Sequence, residues 1–206
     1  MENGREHMQA DFLRHGMIDR LSAVIEANQK PDYNTAVDFI EGRIDPPIDV
    51  EASRQILQEK LEKDEITTQG INVIIHSQAL RGTQTAELLR DVAQMNAQLR
   101  PTDLLREVNP PMSGVTREMY EAAPDWQAVR QMFMKDFLDG AKGNEDLVGA
   151  YRRAERFLVY LRRIRTQTKA NPTFISHGMF SRFITLAMQH DGEDFNDDQV
   201  RELVRA

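Results

Sequence analysis

With 206 residues, 33 acidic against 26 basic side chains and a formal net charge of -7, the chain is long enough to bury a core without staples. Its overall charge does not attract polyanions, which argues against nucleic acid as the main partner. It has no cysteine, so disulfides, thiol nucleophiles and cysteine-based zinc sites are excluded. The first residues are polar and no apolar run approaches the roughly 18 residues of a membrane span, so a cytoplasmic enzyme or adaptor with no membrane contact is expected.

Residues 1–8 are polar and expected to be loose, with a first strand over 8–14. Apolar Met17, Ile18, Leu21, Val24 and Ile25 repeat with a helical period over 17–27, and the proline-containing stretch 28–32 ends that helix. Residues 30–48 are expected to form a connector, because Asp45-Pro46-Pro47 does not fit a helix interior. A second helix begins at Asp49, with Ile56, Leu57 and Leu61 as its apolar face. The run over 71–75 is the clearest strand. Its near-continuous apolar character suits a strand covered on both faces, as in parallel sheets flanked by helices. A helix over 79–99, stopped by Pro101, and a strand over 102–108 follow.

After a turn at Asn109-Pro110-Pro111, residues 109–144 place Met119, Tyr120, Trp126, Val129, Met132, Phe133, Phe137 and Leu138 in helical material. An insertion of this kind after a strand commonly forms a lid. A long helix over 145–168 carries Phe157, Leu158, Leu161 and Ile164 on one face and Arg152, Arg156 and Arg163 on the opposite one. The arginine stripe reads as an ordinary solvated face, with a partner patch as the alternative. Asn171-Pro172 turns the chain into a strand over 173–176, a helix over 179–188 follows, and the last stretch is acidic and then weakly helical. No repeat, low-complexity tract or linker interrupts the chain, so one domain over 1–206, with 109–144 as a lid insertion, is expected.

Three segments carry chemistry. Phe12-Leu13-Arg14-His15-Gly16 delivers an arginine and a histidine to a glycine turn, and Ile175-Ser176-His177-Gly178 repeats the pattern near the other end of the chain. Between them, residues 71–86 run from the clearest strand through Ser77 to Arg81 in the first turn of the next helix. Reacting groups of an open α/β sheet gather beyond the carboxyl ends of its strands, so Arg14, His15, Arg81 and His177 are placed to converge on a crevice suited to a phosphoryl group. A helix start adds free N–H groups and a positive dipole end. Arg81 is a misfit there by about 0.3–1 kcal/mol unless something negative lies beside it; the alternative is a surface arginine reaching water. One Arg-His-Gly alone is weak, and its repetition raises the odds. His76 alternates to the other side of its strand end, as a core or supporting histidine, and His7 and His190 look like surface residues.

These segments, with Ser77-Gln78-Ala79-Leu80-Arg81-Gly82-Thr83-Gln84-Thr85-Ala86 as the most specific, resemble the three signature segments of the histidine phosphatase (phosphoglycerate-mutase-like) superfamily. The resemblance implies a three-layer α/β/α sandwich with a mostly parallel central sheet, and a phosphohistidine intermediate. By position His15 would be the nucleophile, and Arg14, Arg81 and His177 would hold the phosphoryl oxygens. Glu107, just past the next strand, would be the proton donor, with Glu118 and Glu121 as rivals. Asp45-Pro46-Pro47-Ile48, the turn at 143–145 and Arg153 are weaker echoes, read as structural.

The implied activity is a phosphatase acting on a small phosphate ester or a phosphoprotein, with neither metal nor cofactor required. A phosphoglycerate-mutase-type phosphotransferase and a non-catalytic phosphate-binding module are the alternatives. Met17, Ile18, Asp19 and Arg20 stand where many relatives carry polar groups that grip phosphate, which tells against glycolytic mutase activity. Fewer residues follow His177 than relatives use for a closing strand and helix, which implies a trimmed or minimal variant.

Overall fold

The computed structural model describes residues 12–14, 29–66, 68–168 and 171–205. The expected helix over 17–27, His7 and His15 lie outside the described residues, as does the expected first strand before Phe12.

Four strands form one parallel sheet in the order β1-β4-β2-β3: β1 (Phe12–Arg14), β2 (Val73–Ser77), β3 (Gln98–Thr102) and β4 (Pro172–Ser176). All five residues of β2 and of β4 are buried, as a strand covered on both faces requires. Side chains alternate along each strand, so neighbouring residues enter opposite layers. Val73, Ile75 and Phe174 join the cluster built with α6 (Leu147–Thr168) and α7 (Gly178–Gln189). Ile74 and Ile175 join Leu57 of α2 (Val50–Glu62) and Leu88 and Leu89 of α3 (Leu80–Val92). The result is the expected three-layer α/β/α arrangement.

On α6 the apolar face is as expected, with Phe157, Leu158, Leu161 and Ile164 all buried. The arginine stripe divides: Arg156 and Arg163 are exposed, whereas Arg152 is half-buried and donates to Glu155 and to the Phe195 carbonyl. On α2, Leu57 is buried but Ile56 is 37% exposed. The last helix, α8 (Asp197–Arg205), packs on α6 through Val200.

Two stretches differ from expectation. The supposed connector contains a helix, α1 (Tyr33–Ile40), started by Asp32, whose carboxylate accepts from Thr35 N at 3.1 Å. Ala36 and Ile40 give it a buried face. The prolines at 46 and 47 lie beyond this helix, and the Asp32 cap with its Ala36–Ile40 pair at i, i+4 is enough to start it. The helix expected over 79–99 ends at Val92, because Gln94 takes a left-handed φ of 49° and turns the chain into β3. Pro101 therefore does not stop a helix; it lies inside an edge strand, where its missing N–H leaves a central ladder intact. The expected strand over 102–108 is only the end of β3, followed by a 3-10 turn over Asp103–Leu105.

The insertion contains α4 (Arg117–Ala122) and α5 (Trp126–Leu138). Met112, Val115, Tyr120, Trp126, Val129 and Phe133 pack with Ala36 and Ile40 of α1 in a third cluster.

Candidate functional site

The carboxyl ends of β1, β4 and β2 share one edge of the parallel sheet. Arg14 is paired in register with Ser176 and Phe174 with Ile75, so β1 ends level with the residue before His177. Ser77 ends β2, and the chain enters α3 three residues later. Gly82 allows that first turn to fold over the strand end, since a Cβ there would stand 3.0 Å from the Ser77 carbonyl oxygen.

His177 caps the N-terminus of α7 and is fully buried, at 0% exposure. Its Nδ1 accepts from Arg81 Nε at 3.2 Å, and its Nε2 lies 2.8 Å from Ser77 Oγ. A guanidinium N–H only donates, so in this arrangement Nδ1 accepts and the ring proton is on Nε2, donated to Ser77. Ser77 Oγ also accepts from Ala79 N at 3.2 Å. Two of the predicted residues, 96 positions apart, thus meet directly.

Arg81 is 9% exposed and is not the water-reaching arginine of the alternative reading. Besides His177 it holds Asp45, whose Oδ1 accepts from Nη1 at 2.9 Å, and its guanidinium lies 5.9 Å from the Phe39 ring of α1. The other Asp45 oxygen accepts from Leu80 N at the start of α3. The negative group that a cation at a helix start calls for is therefore present as Asp45, and the misfit does not by itself demand phosphate. Asp45, expected only as a structural echo, thus partners a residue 36 positions away.

Glu107 reaches the first turn of the helix that His177 caps. Its Oε1 accepts from Phe180 N at 2.9 Å and Val108 N at 3.0 Å, and its Oε2 from Met179 N at 3.4 Å. Burial pushes the carboxyl above its ordinary value of 4.5, outweighing the pull of those N–H groups and of the Arg81 charge in the other direction. The rivals differ: Glu118 and Glu121 are exposed on α4, and hydrogen bonds from its own N–H and from Thr116 hold Glu118 below the usual range. His76 is buried, its Nδ1 2.9 Å from the Ser77 carbonyl oxygen, in keeping with a core role. His190 is partly exposed beside Glu193.

The described cluster is thus Arg81, His177, Ser77 and Asp45, with Glu107 held against the first turn of the helix that His177 caps. A cationic donor and a buried imidazole at adjacent strand ends, next to a carboxyl held above its ordinary value, suit an anion and a proton transfer. A surface groove of about 440 Å³ between α5 and the end of α8, lined by Met134, Lys135, Leu138 and Arg205 among others, shares no residue with this cluster.

A family model of the histidine phosphatase superfamily (branch 1) matches residues 12–201. No curated protein matches significantly. Among solved structures, a mycobacterial glucosyl-3-phosphoglycerate phosphatase complexed with VO3 is similar with a TM-score of 0.54 at 17% identity, over 95% of this chain and 83% of that one. A structure described as mycobacterial hydrolase 1 is similar with a TM-score of 0.55 at 16% identity, over 93% and 80% of the two chains. An open reading frame of Mycobacterium tuberculosis is similar with a TM-score of 0.50 at 19% identity, over 94% and 82%. At these identities the likeness is one of fold.

Proposed function

The chain belongs to the histidine phosphatase superfamily, and on that premise we propose that it is a metal-independent phosphatase hydrolysing a phosphate monoester through phospho-His15. The observation that carries the proposal is the buried Arg81–His177 contact at 3.2 Å, at the sheet edge to which β1 delivers the chain just before His15. In this scheme a neutral nitrogen of His15 attacks phosphorus, the N–P bond forms as the P–O bond to the leaving group breaks, and Glu107 passes its proton to the departing oxygen. Arg14 and Arg81, with His177 once its Nε2–H turns from Ser77 to the substrate, stabilise charge on the phosphoryl oxygens. Water then gives a proton to the Glu107 carboxylate and its oxygen to phosphorus, breaking the N–P bond. Burial of Glu107 supports the donor role, because the first step needs the carboxyl protonated at working pH.

A small phosphate ester or a phosphoprotein is the proposed substrate, in a cytoplasmic setting. The chain is taken as one catalytic unit in which 109–144 covers the site. That role is supported by the packing of this stretch on α1, whose Phe39 lies against Arg81.

Hydrolysis of p-nitrophenyl phosphate under excess chelator is the test. Activity is expected to survive chelation and to fall by a factor of about 10³ or more in His15→Ala. Persistent activity in that variant would remove the proposed nucleophile. Isomer formation from a phosphoglycerate without free phosphate would turn the assignment to a mutase, and phosphate binding without turnover on any ester to a non-catalytic module.

The raised Glu107 carboxyl sets a pH dependence. It keeps its proton above 4.5, so kcat/KM on an alkyl phosphate is expected to hold past that point and to fall only as the carboxyl ionises. The falling limb is expected to vanish in Glu107→Gln. The same proton is bound more tightly in the folded chain than in the unfolded one. Its contribution to stability is therefore complete below 4.5 and is lost as pH rises through the folded-state value.

A further inference from the structure

We infer that Arg153 is a positioning residue for proton transfer, holding Glu107 and one of its backbone donors in register. The inference rests on the assignment of Glu107 as the proton donor. Arg153 lies on α6 and is 1% exposed. Its Nη1 donates to the Leu104 carbonyl at 2.9 Å and to the Arg106 carbonyl at 2.8 Å, the second of these one peptide before Glu107. Its Nε donates to Glu145 Oε2 at 3.1 Å, and its Nη2 pairs with the other Glu145 oxygen. The guanidinium also lies 3.7 Å from the ring centre of Phe180, the residue whose N–H donates to Glu107 Oε1 at 2.9 Å. One planar cation is thus attached both to the segment that carries the acid and to the residue that orients it.

The carbonyls between these points are held as well. Leu105 O accepts from Ser176 Oγ at 3.2 Å, beside His177, and Glu107 O from Asn144 Nδ2 at 3.3 Å. Four consecutive carbonyls, 104 to 107, are each fixed by a side chain from another part of the fold. The segment follows an edge strand and, among the described residues, has no ladder partner beyond Thr102, so these contacts set where Glu107 stands. A buried ion pair is seldom the cheapest way to gain stability, since apolar residues of equal volume do as well or better. A rigid fork of donors is instead suited to fixing several acceptors at once. Displacement of an acid by about 1 Å costs on the order of a hundredfold in rate.

The readout that separates positioning from mere structural support is the leaving group. Nitrophenolate departs without a proton and an alkoxide does not, so loss of a well-placed acid raises the ratio of kcat/KM for p-nitrophenyl phosphate over that for β-glycerophosphate. Loss of folded enzyme scales both esters alike. The ratio is expected to rise about 30-fold in Arg153→Lys and about 100-fold in Glu107→Gln. The double variant is expected to match Glu107→Gln alone, since the two act through one group. A ratio unmoved in Arg153→Lys beside a raised ratio in Glu107→Gln overturns the inference. So does a double variant in which the two factors multiply. If Arg153→Lys does not fold, Glu145→Gln must show the same displacement of the ratio, and its absence counts equally against the proposal. A ratio unmoved in Glu107→Gln instead overturns the donor assignment, and this inference falls with it.

Discussion

The two flanks of the site are held by different forces. On the α6 and α7 side, the main core runs unbroken from Val73 and Phe174 to Phe157 and Phe180, and Arg153 beside it, against the Phe180 ring, is 1% exposed and bonded to Glu145 and to the Leu104 carbonyl. On the α1 and α4 side, a separate small core is tied together by side chains reaching backbone carbonyls. Lys30 Nζ donates to the Tyr120 carbonyl at 2.7 Å and the Glu121 carbonyl at 3.1 Å, at the negative end of α4. Tyr33 OH donates to Val115 O at 3.0 Å and Tyr120 OH to Pro31 O at 2.6 Å. Burial, with the Asp32 carboxylate as a lesser cause, pushes the Tyr120 phenol up to about 12, so it remains a donor at any working pH. The lesson is that the flank bearing the proposed acid is built into the core. The flank that meets Arg81 through Phe39 is fastened mostly to itself.

That contrast can be broken by three substitutions of decreasing effect. Phe157→Ala, at 0% exposure and 5.0 Å from the Phe174 ring, is expected to cost about 3–5 kcal/mol in urea unfolding. A loss as small as that of a surface change would mean that α6 is not anchored as described. Tyr120→Phe removes one hydroxyl bond between α4 and Pro31 and is expected to cost about 1 kcal/mol. A cost equal to that of Phe157→Ala would show that the outer cluster unfolds with the main core as one unit, erasing the distinction. Arg156→Gln, on the solvated face of α6, is expected to stay within about 0.5 kcal/mol of the parent. A larger change, or a changed mass in solution, would revive the partner-patch alternative for that stripe.

Much of the fold was legible along the chain because it rests on period. The near-continuous apolar run over 71–75 points to a strand covered on both faces, and the spacing of Phe157, Leu158, Leu161 and Ile164 points to one buried helix face. The strand ends were legible too, because a histidine or serine between an apolar run and a helical pattern marks a break. What was missed followed from turn chemistry and from distance. Gln94 in a left-handed turn carries none of the glycine signal that would have separated α3 from β3. The Asp32 cap of α1 was overshadowed by the prolines that follow.

Residue types and their spacing, by themselves, determined β2, β4 and the long helix α6, that β2 would be covered on both faces, and which groups stand at the strand ends, but not α1 or where α3 gives way to β3. Only the tertiary structure decided what those groups meet. Arg81 is a buried donor to His177 rather than a surface cation because Asp45, 36 residues earlier, balances its charge. Glu107 is raised rather than ordinary because the fold buries it, which outweighs the opposite pull of the α7 N–H groups it accepts from. Desolvation and charge pairing depend on distance in space, and no local pattern in the chain records which distant segments will be brought within a hydrogen bond of one another.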